Sequence, residues 1–168
     1  MIRETTIDSP VGPLTLVATR AALRAVRFAG ERGEGPAPGG GAVAHPVLAE
    51  AARQLGEYFA GERTAFDLPL DPVGTPFQRR AWMALRGIPY GATVSYGEQA
   101  RLMGEPGKAR AVGAANGRNP LAIVVPCHRV VGSDGSLTGF GGGVDVKAWL
   151  LRHERARCGG AQPLALFS

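Results

Sequence analysis

Residues 95–117 read "SYGEQARLMGEPGKARAVGAANG". Ser95 followed three residues later by Glu98 is a capping box, in which each side chain satisfies an orphan amide of a helix's first turn. The spacing predicts a short helix that ends at Gly104 and a second that begins around Pro106 and runs through "KARAVGAANG". Two short helices joined by a tight glycine-containing turn, in a basic segment, form a helix-turn-helix candidate. Many small helical domains contain such a pair. The second helix is the unusual one. "ARAVGAANG" (109–117) is almost entirely Ala and Gly around Arg110. Each internal Gly costs about 1 kcal/mol against Ala, so the composition calls for a reason. Tight helix packing is one, and close approach of the backbone to a nucleic-acid groove is another.

Upstream, Thr75-Pro76 caps an expected helix with Phe77, Ala81 and Leu85 on one stripe, ended by Gly87. Downstream, "IVVPCHRVVG" (123–132) reads as an apolar β-type stretch that ends on Cys127 beside His128. Most lone cysteines are inert core residues. A reactive one needs a base, a positive charge or a helix N-terminus to reach the thiolate. Neighbours on an extended strand point to opposite faces, so His128 need not touch Cys127 directly. A tight turn or one bridging water closes that gap, and Pro126 favours a sharp backbone.

"GSDGS" (132–136) reads as a turn and "TGFGGG" (138–143) as a glycine-rich loop. The latter lacks the strand–helix setting of a dinucleotide fingerprint, so no cofactor is expected. Asp145 is a candidate cap for a last helix, on which Val146, Leu150 and Glu154 share one face. Glu154 is then either a buried acid needing a partner or a solvated carboxylate at the edge of the stripe.

The first half is different in kind. "PLTLVAT" (13–19) and "LRAVRF" (23–28) predict an antiparallel hairpin. "AGERGEGPAPGGG" (29–41) is a Gly/Pro-rich loop. A helix starting near His45 carries Leu48, Ala51, Leu55 and Phe59 on one face and stops at Gly61. "DLPLDPVG" (67–74) reads as a linker.

The 168 residues allow one medium domain or two small ones. Residues 1–72 hold seven Arg against nine Asp/Glu, whereas residues 73–168 hold ten Arg and two Lys against five Asp/Glu. That asymmetry points the second half at an anionic partner, nucleic acid first, unless it is only a charged surface. No apolar run of membrane-spanning length is present, and the N-terminus has no signal-peptide pattern, which makes the cytoplasm the expected compartment. Two cysteines, Cys127 and Cys158, and three scattered histidines give no metal spacing, and a reducing compartment argues against a disulfide.

Three stretches carry a resemblance: "TPFQRRAWMALRGIPYGATVSYGEQA" (75–100), "GKARAVGAANGRNP" (107–120) and "IVVPCHRVVG" (123–132), followed by a Gly-rich loop and "KAWLLRHE" (147–154). Over about residues 75–155 the chain closely resembles the methylated-DNA–protein-cysteine methyltransferases, which repair alkylated DNA. The first 72 residues fit that family's variable N-terminal domain in layout only. The resemblance implies that Cys127 takes the alkyl group from O6 of a flipped guanine, possible only once the base has left the stack. It implies that His128 acts through a water as the base for the thiol and that Glu154 orients and charge-stabilises it. Asn119 matches the asparagine that bridges the helix-turn-helix to the active-site strand, and Tyr96 the tyrosine that donates to the guanine ring. Arg110 matches the arginine that enters the base stack. Ala109, Gly113 and Ala114 lie with it on a recognition helix that the family inserts in the minor groove. The carbonyls of Cys127 and Val130 match acceptors for the guanine amino group, and the loop at Phe140-Gly141-Gly142 matches the pocket wall. Phe140 stands where some members have tyrosine and Gly141 where some have serine, which loosens the pocket toward bulkier adducts or O4-alkylthymine. The zinc site of some relatives is absent.

The expected fold is α+β. A small N-terminal α/β domain with an antiparallel sheet spans 1–72, a mainly helical domain with a winged helix-turn-helix spans 73–157, and a tail spans 158–168. The expected partner is double-stranded DNA containing alkylated guanine, met by a monomer without a membrane, cofactor or metal. A helix-turn-helix regulator explains the charge but not the Pro-Cys-His run or Glu154. A cysteine hydrolase explains the thiol and histidine but not the basic half.

Overall fold

The computed structural model describes residues 2–29, 45–137, 140 and 142–157. The loop expected over 29–41 (from residue 30 on), Gly141, Cys158 and the tail lie outside the described residues. The fold is α+β, in two compact units, Met1–Val73 and Gly74–Ser168. Among the described residues, no helix is long and apolar enough to cross a membrane.

In the first unit, strands β1 (Arg3–Ile7), β2 (Leu14–Ala18) and β3 (Leu23–Phe28) form an antiparallel sheet in the order β1-β2-β3. The hairpin of β2 and β3 is the expected one. β1 escapes sequence reading because "RETTI" turns only Thr5 fully inward, so it carries no apolar alternation. Helix α1 (Pro46–Phe59) starts on His45, whose Nδ1 accepts the Leu48 amide at 3.3 Å. Its buried face is Leu48, Ala51, Gln54, Leu55 and Tyr58. Tyr58 thus takes the inward place expected for Phe59, which is half-buried. The segment read as a linker does more than connect. The Leu23 amide donates to Pro69 O at 2.8 Å and the Asp71 amide to Leu23 O at 2.9 Å, so the chain at Leu70 adds a parallel bridge to the β3 edge. Buried Gln54 holds the same segment by exchanging two hydrogen bonds with the backbone of Asp67, at 2.9 and 3.0 Å.

The second unit holds α2 (Pro76–Leu85), β4 (Val94–Ser95), α3 (Tyr96–Leu102), α4 (Ala109–Gly117), a 3-10 turn (Cys127–Arg129), β5 (Val130–Val131) and α5 (Val144–Arg157). Both expected caps form. Thr75 makes a capping box with Gln78 at α2, and Ser95 makes one with Glu98 at α3. On α2 the buried residues are Ala81, Trp82 and Leu85, with Phe77 only half-buried. Helix α4 begins at Ala109 rather than at Pro106. Gly107 has φ 90°, and the Lys108 amide donates to Glu105 O at 3.2 Å. Pro106-Gly107 therefore occupies the two central positions of a turn, where Pro presets φ and Gly supplies a positive one. Asp145 lies within the first turn of α5 rather than at its cap.

Three side chains lock α2, α3 and α4 together. Trp82 Nε1 donates to Ala115 O at 2.8 Å. Gln99 Nε2 donates to Asn116 Oδ1 at 3.1 Å, and Asn116 Nδ2 returns a bond to Gln99 Oε1 at 2.7 Å. Gln99 Nε2 also reaches Ala81 O at 3.1 Å. Both amides are buried, so each satisfies groups that water cannot reach. Asn116→Ala strands the Gln99 carbonyl and should cost about 1–3 kcal/mol. The expected reading is a lower urea midpoint with an unchanged m-value.

Candidate active site

The stretch 121–129 is not a strand. The Val124 amide donates to Ala122 O at 2.8 Å across Ile123, whose φ is 73°. The Cys127 amide donates to Val125 O at 2.8 Å across Pro126, whose φ is −81° and ψ 67°. These are two three-residue turns in succession, the second an inverse γ-turn that Pro's fixed φ suits. The first places a β-branched residue in the left-handed region, which is sterically unfavourable. Buried Leu121, Ala122, Ile123, Val124 and Val125 hold it there. The run of apolar residues reads as a strand because core turns and buried strands share that composition.

This folding answers how Cys127 and His128 relate. The thiol is half-buried, while His128 is fully buried, one residue into the 3-10 turn. His128 Nε2 lies 2.6 Å from Glu154 Oε2. With the carboxylate as acceptor, Nε2 carries the proton and Nδ1 is the basic nitrogen. Nδ1 is buried and has no hydrogen-bond partner among the described residues. Glu154 also is fully buried, so of the two readings of its position the buried acid holds. On α5 it shares the inner face with Lys147 and Leu150, while Val146 is half-buried.

Glu154 has further partners. Arg129 Nε donates to Oε1 at 2.8 Å and Nη2 to Oε2 at 3.0 Å, and the Gly91 amide reaches Oε1 at 3.3 Å. Arg129 Nη1 also donates to Ile88 O at 2.7 Å, and its guanidinium lies 5.6 Å from the Tyr90 ring centre. Burial pushes the Glu154 carboxyl pKa up, but the charge and hydrogen bonds of His128 and Arg129 outweigh that and hold it well below the carboxylate range. Burial pushes His128 down, Glu154 pulls it back up, and Arg129 and Lys147 add to the lowering. The net direction is down, chiefly because of burial, with the two other cations adding to it.

The remaining expected residues lie elsewhere in the second unit. Asn119, just past α4, donates from Nδ2 to Val125 O at 2.9 Å and accepts the Leu121 amide at 2.9 Å. It thereby ties the end of α4 to the turn carrying Cys127. Tyr96 follows β4 directly, and β4 pairs in parallel with β5 through Val94 with Val130 and Ser95 with Val131. A methyl group at Gly113 would meet the Tyr96 ring at 3.6 Å, so α4 passes close to that ring. Arg110 and Ala114 are exposed on α4, with Ala109 and Gly113 half-buried beside them, while Val112, Ala115 and Asn116 face inward. The Cys127 carbonyl accepts the Val130 amide. Phe140 is half-buried, and its carbonyl accepts the Gly143 amide at 3.0 Å. Gly141 lies outside the described residues. Among those described, no group of three or more His, Cys, Asp or Glu side chains is placed to hold a metal ion.

Sequence reading passed over two charged residues. Arg129 sat inside the quoted motif and was counted only as surface charge. Lys147, buried to 1% exposure, lies 5.9 Å from the Tyr96 ring centre. Burial lowers its pKa, and the field of Cys127 raises it. Its position seven residues before Glu154, two helical turns along one face, was the available signal.

A thiol beside a buried imidazole–carboxylate–guanidinium cluster, in one unit with a capped helix pair that turns a small-residue face outward, defines the class. This is a nucleophilic-cysteine protein on a nucleic-acid-binding frame. Comparison with known proteins gives the particular family. Residues 76–156 match the DNA-binding domain of 6-O-methylguanine DNA methyltransferase, and residues 2–72 match its ribonuclease-like domain. A methylated-DNA–protein-cysteine methyltransferase of Mycolicibacterium paratuberculosis is 54% identical over 92% of this chain and 93% of its own. The crystal structure of Mycobacterium tuberculosis O6-methylguanine methyltransferase superposes with a TM-score of 0.84 at 50% identity, covering 94% of each chain. The same bacterium's protein in complex with DNA also gives 0.84 at 50% identity, over 92% of this chain and 93% of that one. The chain belongs to the 6-O-methylguanine DNA methyltransferase family.

The site's electrostatics fix a pH dependence. Glu154 has a depressed folded pKa, so its stabilisation is complete above the unfolded value of about 4.3 and is lost as pH falls toward the folded one. His128 is also depressed, so the unfolded chain binds more protons below about 6.5 and stability declines there too. Glu154→Gln should cost about 3–5 kcal/mol at pH 7, because Arg129 is left buried without its counter-charge. The gap between wild type and variant should narrow as urea midpoints are followed from pH 7 down to the lowest pH at which the wild type stays folded.

Proposed function

We propose that this protein repairs DNA by direct reversal, moving the alkyl group of O6-alkylguanine irreversibly to Cys127. The observation that carries the reading is the half-buried Cys127 thiol preceding a buried His128 whose Nε2 is bound 2.6 Å from Glu154. That arrangement leaves Nδ1 as a base, and a bridging water is the route by which it takes the thiol proton. The thiolate then attacks the alkyl carbon. The S–C bond forms, the C–O6 bond breaks, and the guanine leaves as its anion or, with a proton from the Tyr96 hydroxyl, as neutral guanine. Glu154 steadies the imidazolium that forms. The base must first be extruded, because a sulfur cannot reach O6 in line within the stack. α4 is the element for docking in the groove, Arg110 for holding the gap, and Asn119 for keeping α4 in register with the reactive turn. Val130 and Phe140 line the base pocket. The partner is double-stranded DNA carrying alkylated guanine. Exposed Arg79, Arg80, Arg101, Lys108 and Arg118 provide phosphate contacts independent of sequence. The reading places a monomer in the cytoplasm, where thiols stay reduced.

A transcriptional regulator has no use for the buried cluster. Two ionic groups out of water, Glu154 and Arg129, cost several kcal/mol each before pairing, and an apolar core of the same shape is as stable or more so.

The reaction should be stoichiometric, because a thioether offers no leaving group that water can displace. Excess DNA containing O6-methylguanine should raise the intact mass by one methyl per chain, on the peptide holding Cys127, and then stop. Product that keeps accumulating would identify a turnover enzyme instead. Cys127→Ser should lose transfer and keep DNA binding. Arg110→Ala should slow transfer from duplex DNA far more than from the free modified base, which needs no extrusion. Equal loss with both substrates would make Arg110 a folding residue.

A further inference from the structure

Glu154 is shared. Oε1 takes Arg129 Nε at 2.8 Å and the Gly91 amide at 3.3 Å, while Oε2 takes His128 Nε2 at 2.6 Å and Arg129 Nη2 at 3.0 Å. Two donors on each oxygen fill the carboxylate's acceptor sites. A buried carboxylate facing a histidine pulls it toward imidazolium, against the burial that lowers it, since an opposite charge within hydrogen-bond distance favours the charged form. An imidazolium at rest cannot accept a thiol proton. Arginine changes the balance, because its guanidinium does not deprotonate in proteins. It claims the single negative charge permanently and leaves His128 a hydrogen bond without a full countercharge. Arg129 is itself fixed on its far side by Nη1 to Ile88 O at 2.7 Å and by the Tyr90 ring.

We infer that Arg129 is a positioning residue of the alkyl-transfer site: by gripping both oxygens of Glu154 it keeps His128 neutral at rest and able to take the Cys127 proton. The inference rests on the alkyl-transfer reading for its purpose, though not for its geometry. Among the described residues, few charged or titratable groups face His128. α5 presents Glu154 and Lys147, and the 3-10 turn presents Arg129 and Cys127. α2 turns Ala81, Trp82 and Leu85 inward and its arginines outward. Lys147 adds positive charge of the same sign as Arg129 and so works in the same direction.

The test titrates the His128 imidazole by NMR in labelled protein without DNA, and separately measures single-turnover transfer against pH. In the wild type, His128 should titrate below the ordinary value of about 6.5. Arg129→Gln should raise that midpoint by about one pH unit or more and carry the acid limb of transfer upward with it. Arg129→Lys keeps the charge and should leave the midpoint near the wild-type position even where the rate falls. Glu154→Gln should move the midpoint the opposite way. A wild-type His128 that is imidazolium at pH 7 overturns the inference whether or not any variant folds. So does an Arg129→Gln protein that loses rate equally at every pH with the midpoint unmoved, which is the behaviour of a merely structural arginine. Absence of transfer in the wild type would defeat the functional reading and leave the titration result standing.

Discussion

One carboxylate organises the reactive half of this molecule. Glu154 sits in the last turn but one of α5, out of contact with water, and draws donors from the 3-10 turn and the loop between α2 and β4. Three chain segments distant in sequence meet on two oxygen atoms. Each donor needs the acceptor, because a buried polar group without a partner costs about 1–3 kcal/mol or more. The acceptor needs the donors, because a lone buried charge would be neutralised. The turn bearing Cys127 is therefore built around the carboxylate rather than merely placed beside it.

Local chemistry made some of this visible in the sequence. The capping boxes at Ser95 and Thr75, the hairpin of residues 14–28 and the helix from Pro46 depend on neighbours within a few residues, so spacing alone reveals them. Features that depend on distant partners did not show. β1 pairs through its backbone and has almost no apolar pattern. Leu70 joins β3 by two backbone bonds that no side chain announces. The run at 121–126 is as apolar as a strand because it is as buried as one, yet it folds into consecutive turns. Tyr58 displaces Phe59 from the core, a shift of one residue that periodicity does not resolve.

The site follows the same division. Cys127, His128, Glu154, Asn119 and Tyr96 were singled out from motif and resemblance together, and the fold puts the first three in one place with Asn119 tethering the turn. Periodicity marked Glu154 as in line with core residues but left open whether it was buried. Its burial became intelligible only with Arg129 and His128 in view. Arg129 and Lys147 were passed over because charge counting treats every arginine and lysine as surface. A cation within helical or turn spacing of a buried acid deserves to be weighed as a buried cation first.

The exposed side of α4 offers Arg110 amid Ala111, Ala114 and Gly117. Ordering a long polar side chain on docking costs up to about 1.5–2 kcal/mol of rotamer freedom, whereas Ala and Gly have none to lose. Such a helix can settle into a groove and leave it again without freezing or releasing side chains. It also brings almost no donors or acceptors to base edges, so one stretch of intact duplex holds it much like another. The consequence is a division of labour in time. If α4 is the docking element proposed above, encounter is shallow and indifferent to sequence, and discrimination is deferred to the moment when a base turns out toward the thiol.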